Sequence, residues 1–223
     1  MGGAGVLEQL YFARQIADHA ARLGVLSAPM SSRPASNHMG AVLADAILQA
    51  GVNYQTVVRV RIERIRLEFP EAAMLSGVTE LIEREGAEFF LLWKHPTKVI
   101  RFVSLAKFLA MQGVDSTTEL RNWLCLENAR PSLLNLNGIG PKTCDYLCSL
   151  VGIDCVAVDR HIVRFAVDAG VHLSDYERLK GAVSFAADLL GVERRDFDAW
   201  IWRTISYRTR APEIDSLGTQ PGR

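Results

Sequence analysis

A lysine and an aspartate, 17 residues apart, are the side chains of this sequence best suited to chemistry. Lys142 follows a Gly-x-Gly turn at the start of a predicted helix, and Asp159 ends an apolar run directly before another helix. A neutral amine is a nucleophile, and a fixed, partly desolvated carboxylate can stabilise a developing positive charge. Asp159 alone is more simply an N-cap, because Asp is common at the first position of a helix. The pairing of the two residues favours the catalytic interpretation.

The turn before Lys142 predicts a phosphate-binding site. Glycine at two positions permits unusual backbone angles and the close approach of another molecule. A helix that begins at Pro141 directs its free N–H groups out of the turn, where an anion can bind them. The candidate binding residues are Leu136, Asn137, Gly138, Ile139, Gly140 and Thr143.

These two motifs together resemble a known superfamily. Leu-x-Gly-Ile-Gly-Pro-Lys-Thr, then a short helix, then Ala-Val-Asp-x-His-Ile-x-Arg is similar to the helix-hairpin-helix Gly/Pro-Asp DNA glycosylases, which include endonuclease III and 8-oxoguanine glycosylase. The close match covers about residues 132–165, and a looser match in helical rhythm extends back to about residue 35. The resemblance implies an all-α fold of two helical lobes with a DNA-binding cleft and a helix-hairpin-helix motif.

The same resemblance implies a function in base-excision repair. Lys142 matches the lysine that forms a Schiff base with the sugar, and Asp159 matches the catalytic aspartate. We therefore expect a DNA glycosylase that removes a damaged or mismatched base and nicks the abasic site by β-elimination. Its expected partner is double-stranded DNA containing a damaged base or an abasic site, and no cofactor is implied.

The sequence departs from the family pattern at three places. Asn137 stands where the hairpin usually has Pro, which predicts a slightly looser turn. No cysteine follows Cys155, so the iron–sulfur cluster of many members is not expected. The early motif lacks the glutamine that would fill the gap left by a flipped base. Its replacement is left open among Gln49, Asn53 and Tyr54.

Two further residues near the motif are candidates for supporting roles. His161 matches the Val-Asp-x-His pattern, and a packing or hydrogen-bonding role is favoured over catalysis. Asp145 shares a polar stripe with Lys142 on the predicted helix. It could belong to this stripe only or have a role in the site, and the sequence favours neither interpretation. Cys144 and Cys148 are interpreted as buried apolar residues, and no metal site is predicted.

The sequence allows two interpretations for several arginines and for the tryptophans. Arginines could contact DNA phosphates or cover solvated helix faces, and the sequence leaves both interpretations open. They are Arg59, Arg61, Arg64 and Arg66 on one predicted helix and Arg203, Arg208 and Arg210 near the chain end. Tryptophans could line a base pocket or belong to the core. They are Trp93, Trp123, Trp200 and Trp202.

Two alternative functions remain open at this point. The first is a monofunctional glycosylase in which Lys142 only holds DNA. The second is a non-catalytic helix-hairpin-helix module that binds DNA, because such modules also carry a lysine at this place.

Helices must position these residues. Apolar residues recur with helical period, glycines follow the periodic stretches, and prolines precede them. The segment 56–69 also alternates like a strand, but it is long for a strand and has no evident partner. The first helix runs from about Val6 toward Gly24. The others are predicted at 39–50, 56–69, 77–85, 97–112, 116–127, 141–151, 160–169, 174–190 and 195–207.

Composition places this chain among globular proteins. Its 223 residues are 49% hydrophobic and 22% charged, with equal numbers of acidic and basic side chains. A core is therefore possible, and disorder, a collagen-like chain and a membrane span are not expected. Four cysteines and the lack of a secretory signal predict a cytoplasmic protein, nucleoid-associated in a bacterium, and a monomer is expected.

The predicted organisation has four parts. Residues 1–34 form an N-terminal helix and linker that pack with the C-terminal lobe. Residues 35–152 form a helical lobe that ends in the helix-hairpin-helix at 131–152. Residues 153–210 form the C-terminal lobe with Asp159, and residues 211–223 form a flexible tail.

Overall fold

The fold is all-α, as predicted. A computed structural model describes residues 3–29 and 34–208, and this part of the chain contains helices and no strand. The predicted tail, Arg210 and the side chain of Arg208 lie outside the described residues. The α-helices are α1 (Gly3–Arg22), α2 (Met39–Leu48), α3 (Arg59–Glu68), α4 (Leu75–Glu85), α5 (Ala87–Leu91), α6 (Pro96–Met111), α7 (Thr117–Leu124), α8 (Ala129–Leu134), α9 (Pro141–Leu150), α10 (Arg160–Asp168), α11 (Tyr176–Leu190) and α12 (Arg194–Arg208).

Local signals explain where most helices begin and end. Pro96 and Pro141 occupy the first turns of α6 and α9, where a missing N–H costs nothing. Ser116 and Glu119 form a reciprocal capping box at the start of α7. The ambiguous segment 56–69 is helical, and a π-helical turn, Tyr54–Val58, leads into α3. The short helix α5 was not predicted, because 5 residues are too few to show a period, and α8 was implied only as the first helix of the helix-hairpin-helix.

The first hydrophobic core surrounds α2. Every residue of α2 is buried, and the helix contacts α3, α4, α6 and α9. Its composition explains this position, because a helix that is apolar nearly all round must be covered on all sides. Gly40 lets the ring of Phe90 approach closely, since a Cβ there would lie 2.8 Å from its tip. Through α9, this core supports the turn and Lys142.

A second hydrophobic core joins the two ends of the chain. It is built from α1, α10, α11 and α12, with α1 lying along α11. Phe165 of α10 forms its aromatic centre with Phe197 and Trp200 of α12, whose rings stack with an interplanar angle of 9°. Both aromatics of α12 face inward at helical spacing. This packing fixes α12 against α10, the helix that begins after Asp159.

Candidate active site

The Gly-x-Gly turn joins α8 to α9 in the arrangement expected of a helix-hairpin-helix. Gly138 has φ +81°, a left-handed conformation that favours glycine. Ile139 is 4% exposed and anchors the turn in the first core. Gly140 is the N-cap of α9 and offers no side-chain acceptor to the first N–H groups of the helix. These N–H groups are available to an anion.

The remaining turn residues surround this backbone site. Leu136 packs against the first core, whereas Asn137 and Gly138 are exposed. Thr143 and Lys142 lie in the first turn of α9 and are partly exposed. The exposed surface of the turn is therefore mostly backbone, which suits contact with a phosphate regardless of base sequence.

Sequence reasoning missed Arg101, which brings a cation to this turn. Its guanidinium group lies so close to Gly138 that a Cβ on this glycine would overlap it. Arg101 belongs to α6 and is partly exposed. No local pattern could indicate it, because its place beside the turn depends on how α6 packs in the first core.

Asp159 is held at the N-terminus of α10 by three hydrogen bonds. The backbone N–H groups of His161 and Ile162 donate to Oδ1 at 2.7 and 3.1 Å. The Nδ1 of His161 donates to Oδ2 at 3.0 Å, since an ionised carboxylate only accepts. His161 thus has the hydrogen-bonding position that the sequence favoured.

The Asp159 carboxylate is anionic in this environment. Burial by itself raises its pKa, because its side chain is only 19% exposed. The hydrogen bonds from His161 and Ile162 and the positive charge of Lys142 outweigh burial, and the pKa of Asp159 falls below its usual value. Lys142 and Asp159, on different helices, therefore lie within electrostatic reach of each other.

A second carboxylate, Asp198 of α12, belongs to the same cluster. Its Oδ2 accepts a hydrogen bond of 2.9 Å from the backbone N–H of Ala157, two residues before Asp159. Although part of its surface stays accessible, surrounding protein raises the pKa of Asp198 to about 7, and the negative charge of Asp159 acts in the same direction. The Ala157 N–H and the charges of Lys142 and His161 act in the opposite direction.

Trp202 of α12 packs against His161 at the edge of this cluster. It lies one helical turn after Asp198, and its ring centroid is 5.7 Å from that of His161. The other tryptophans have structural surroundings. Trp93 lies beneath Arg61 and Lys98, Trp123 packs on Phe108, and Trp200 belongs to the second core.

Asp145 connects the two cores. Its side chain is nearly fully buried and accepts hydrogen bonds from Arg130 of α8 (2.5 Å) and from Lys180 and Tyr176 of α11 (2.7 and 2.8 Å). The Tyr176 hydroxyl also accepts from the backbone N–H of Val158 at 3.3 Å. These contacts favour the structural interpretation of Asp145: it fixes α9 against the segment that carries Asp159.

Two of the candidate gap-filling residues lie at helix ends. Gln49 is the C-cap of α2, and Lys98 closes this end by donating to the carbonyl oxygens of Leu48 and Ala50 at 2.6 and 2.7 Å. Asn53 caps the π-helical turn, where its Oδ1 accepts from the backbone N–H of Thr56 at 3.1 Å.

The third candidate, Tyr54, is connected to α9. Its hydroxyl donates to Oδ2 of Asp45 at 3.0 Å, and the hydroxyl of Tyr146 donates to Oδ1 at 3.0 Å. Asp45 is 1% exposed. Tyr146 follows Lys142 by one helical turn, so this network ends on the helix face that carries the lysine. The sequence did not single out Asp45 or Tyr146.

The arginines of α3 have protein partners. Arg61 donates to the carbonyl oxygens of Val57 and Leu92 at 2.6 and 3.1 Å. Arg64 donates to the carbonyl oxygens of Phe89 and Phe90 at 3.3 and 3.2 Å, at the end of α5. Arg59 pairs with Glu63, and Arg66 donates to Ser36. A structural role, rather than phosphate binding, therefore explains Arg61 and Arg64.

The cysteines are free thiols, and burial raises the pKa of Cys144 to about 11. Among residues 3–29 and 34–208, no group of three or more His, Cys, Asp or Glu side chains could hold a metal ion. Within the same residues, no helix has the length and apolar character needed to cross a membrane.

Comparisons with known proteins add one finding. No protein-family model and no curated protein matches the sequence. Among solved structures, the H. pylori 3-methyladenine DNA glycosylase MagIII, bound to 1,N6-ethenoadenine, aligns with a TM-score of 0.59 over 90% of this chain and 99% of that chain. This chain has the fold of a DNA glycosylase. At 17% identity the likeness establishes the fold, and the chemistry must be argued from the residues.

Proposed function

We propose that this protein is a base-excision-repair DNA glycosylase that also nicks the abasic site through a Schiff base on Lys142. One observation carries the proposal: an anionic Asp159 at a helix N-terminus lies within electrostatic reach of a lysine that follows a phosphate-binding turn. Its expected ligand is double-stranded DNA with a damaged base or an abasic site, bound by a monomer in the cytoplasm.

Asp159 would act on the sugar. When the bond between base and sugar breaks, positive charge develops on the sugar ring. A fixed carboxylate stabilises this charge without having to reorganise. The hydrogen bonds from α10 and His161 hold Asp159 both anionic and in place, so its charge is present before the substrate arrives.

Lys142 would act as the nucleophile. Its neutral amine attacks the anomeric carbon of the sugar, the bond to the base breaks, and the base leaves with the bonding electrons. Ring opening with loss of a proton yields an imine between lysine and sugar. The imine acidifies the neighbouring C–H, so β-elimination releases the 3′ phosphate and nicks the strand.

The turn would hold the DNA backbone during these steps. Phosphate oxygens fit the free N–H groups at the start of α9, and the Arg101 cation adds charge to the same surface. The target base must leave the helical stack to reach the site. The fold likeness to a glycosylase bound to a modified base supports this use of the fold.

A monofunctional glycosylase is the second candidate. Lys142 lies in the first turn of α9, beside the phosphate-binding backbone, where it could simply hold a phosphate. In that case water would be the nucleophile, and Asp159 would stabilise the positive charge on the sugar. A non-catalytic helix-hairpin-helix module is the third interpretation, in which neither side chain reacts.

Trapping with borohydride tests the proposal. Duplex DNA with an abasic site is incubated with the protein and borohydride, which reduces an imine to a stable covalent link. We expect a protein–DNA band with the wild type, no band with Lys142→Gln, and an unchanged band with Lys107→Gln, an exposed lysine on α6.

Base release from a panel of lesion-containing duplexes separates the alternatives. Absence of a band for the wild type would overturn the lyase proposal. Base release that is lost in Asp159→Asn but kept in Lys142→Gln would then indicate the monofunctional enzyme. DNA binding without base release by the wild type would leave a binding module.

A further inference from the structure

Asp198 occupies a place in the candidate active site that the proposed mechanism has not used. It lies on α12, and its Oδ2 accepts the Ala157 N–H in the segment that leads directly to Asp159. One turn further along α12, Trp202 packs against His161, which binds Asp159. Two contacts on one face of α12 therefore place Asp198 at the site, beside the Lys142 and Asp159 charges that act on it.

Asp159 is poorly suited to accept a proton. Three hydrogen bonds already engage its two oxygens, and they favour the charged form. A lysine ammonium group must nevertheless lose a proton before it can attack, and a water molecule must lose one as it attacks. A group that stays anionic can stabilise the sugar cation, but another group must take up this proton.

We propose that Asp198 is the proton acceptor of this site, which takes the proton released by the attacking nucleophile. The inference rests on the proposed function and deepens it. If Lys142 attacks, its ammonium group gives one proton to the Asp198 carboxylate, which leaves a neutral amine and a carboxylic acid. If water attacks, the same carboxylate takes the proton that water loses. The acid then returns the proton to the departing base or to solvent.

The environment of Asp198 supports this role. Its pKa of about 7 lies near neutrality, where a group can both accept and return a proton. Burial raises it, the Asp159 carboxylate raises it further, and Lys142, His161 and the Ala157 N–H lower it. Two carboxylates whose surroundings shift their pKa values in opposite directions are suited to different tasks.

A purely structural role makes a different prediction for the same residue. Asp198 would then act only as an acceptor that holds Ala157 in place. Asn retains a side-chain oxygen that can accept this hydrogen bond, but it cannot take up a proton. The variant Asp198→Asn therefore separates the two roles.

The experiment measures single-turnover nicking of an abasic duplex between about pH 5.5 and about pH 8.5. We expect the wild-type rate to rise through about pH 7, since only the ionised carboxylate accepts a proton. Asp198→Asn should nick about 100-fold more slowly at neutral pH, with binding of the duplex unchanged, and should lose the rise near pH 7. A wild-type rate and pH profile in this variant would overturn the inference. Asp198 would then have only the structural role of accepting the Ala157 N–H.

Asp154→Asn is the matched control. Asp154 also accepts from a backbone N–H at the start of α12, that of Arg195 at 2.9 Å. This variant should keep the wild-type rate and pH profile. A wild type that neither nicks abasic DNA nor releases any base would instead overturn the proposed function, so the two failures are distinguishable.

A second measurement is independent of activity. A titration of the 13C-labelled aspartate carboxyl groups followed by NMR, with Asp198→Asn to assign the signal, reports protonation directly. We expect Asp198 to titrate near neutral pH in the wild type and at lower pH in Asp159→Asn, where the neighbouring charge is gone. A wild-type midpoint near 4 would contradict the proposal.

Discussion

At the scale of single residues, the Asp159 carboxylate has two roles that can be separated. It caps α10 through two backbone N–H groups, and it supplies a negative charge beside Lys142. The cap requires only an oxygen acceptor, whereas stabilisation of a sugar cation requires the charge. A substitution that keeps the acceptor and removes the charge should therefore affect one role and not the other.

We expect Asp159→Asn to stay within about 0.5 kcal/mol of the wild-type free energy of unfolding, because Asn caps helices as well as Asp. Release of the base from a lesion-containing duplex should fall about 100-fold or more in the same variant, because the sugar cation forms when the bond to the base breaks. Asp159→Ala should lose activity and also about 1 kcal/mol of stability, since the cap is gone. Urea denaturation measures stability, and a gel assay measures base release from a lesion-containing duplex. An active Asp159→Asn would reduce Asp159 to a helix cap.

Residues of the site differ in how far they could be predicted from the sequence. Lys142 and Asp159 belong to one short stretch whose turn and apolar run can be recognised locally. Asp198 and Arg101 come from α12 and α6, and nothing in their local sequence marks them. Their place in the site depends on packing in the two cores, which no short-range pattern encodes.

At the scale of elements, the turn between α8 and α9 carries the proposed phosphate-binding surface on its backbone. Its two glycines have different reasons for lacking a side chain. Gly138 has φ +81°, which L-residues with side chains rarely adopt. Gly140 has φ −103°, an ordinary value, and a Cβ there would meet no atom within 4 Å. Folding explains the first glycine, and we propose that close approach of a phosphate explains the second.

Gly138→Ala and Gly140→Ala form a matched pair that tests this difference. The first should lose about 1–2 kcal/mol of stability, because alanine is strained in the left-handed region and must displace Arg101. The second should keep its stability but bind duplex DNA about tenfold more weakly, since its methyl group blocks the phosphate. Thermal unfolding and fluorescence anisotropy provide the two readouts. Unchanged DNA binding by Gly140→Ala would place the phosphate elsewhere.

A helix can be predicted from the sequence only if it is long enough to show the helical spacing of apolar residues. The helices around both cores were found from apolar spacing, glycine ends and proline starts. The segment 56–69 required a choice between strand and helix, and the helix is confirmed. No local pattern marks α5. Two arginines of α3 bind the carbonyl groups at its end, so tertiary contacts stabilise this short helix.

At the scale of the whole molecule, the site combines residues supported by two separate cores. Lys142 and the turn belong to the first core, while α10 and α12, which position Asp159 and Asp198, belong to the second. The distance between the two halves of the site therefore depends on what connects the cores. Asp145 is such a connection, because it lies on α9 and binds Lys180 and Tyr176 of α11.

We expect Asp145→Asn to weaken this connection and to lower both stability and activity. The variant leaves the Lys180 and Arg130 cations beside a neutral group, and their side chains are 23% and 32% exposed. Solvent reaches both cations, so the loss should be about 2–3 kcal/mol, at or below the usual cost of breaking a buried ion pair. Asp188→Asn is the control, because its pair with Arg194 is exposed and should contribute less than 1 kcal/mol.

Hydrogen exchange distinguishes a loosened connection from general destabilisation. Protection should fall most in the segment around Val158, in the middle of α9 and in the first turn of α11, because these are the places that Asp145 holds together. Nicking of abasic DNA should fall with it, since Lys142 and Asp159 lose their fixed separation. Stability and exchange equal to those of Asp188→Asn would show that packing of the two cores, rather than Asp145, sets the geometry of the site.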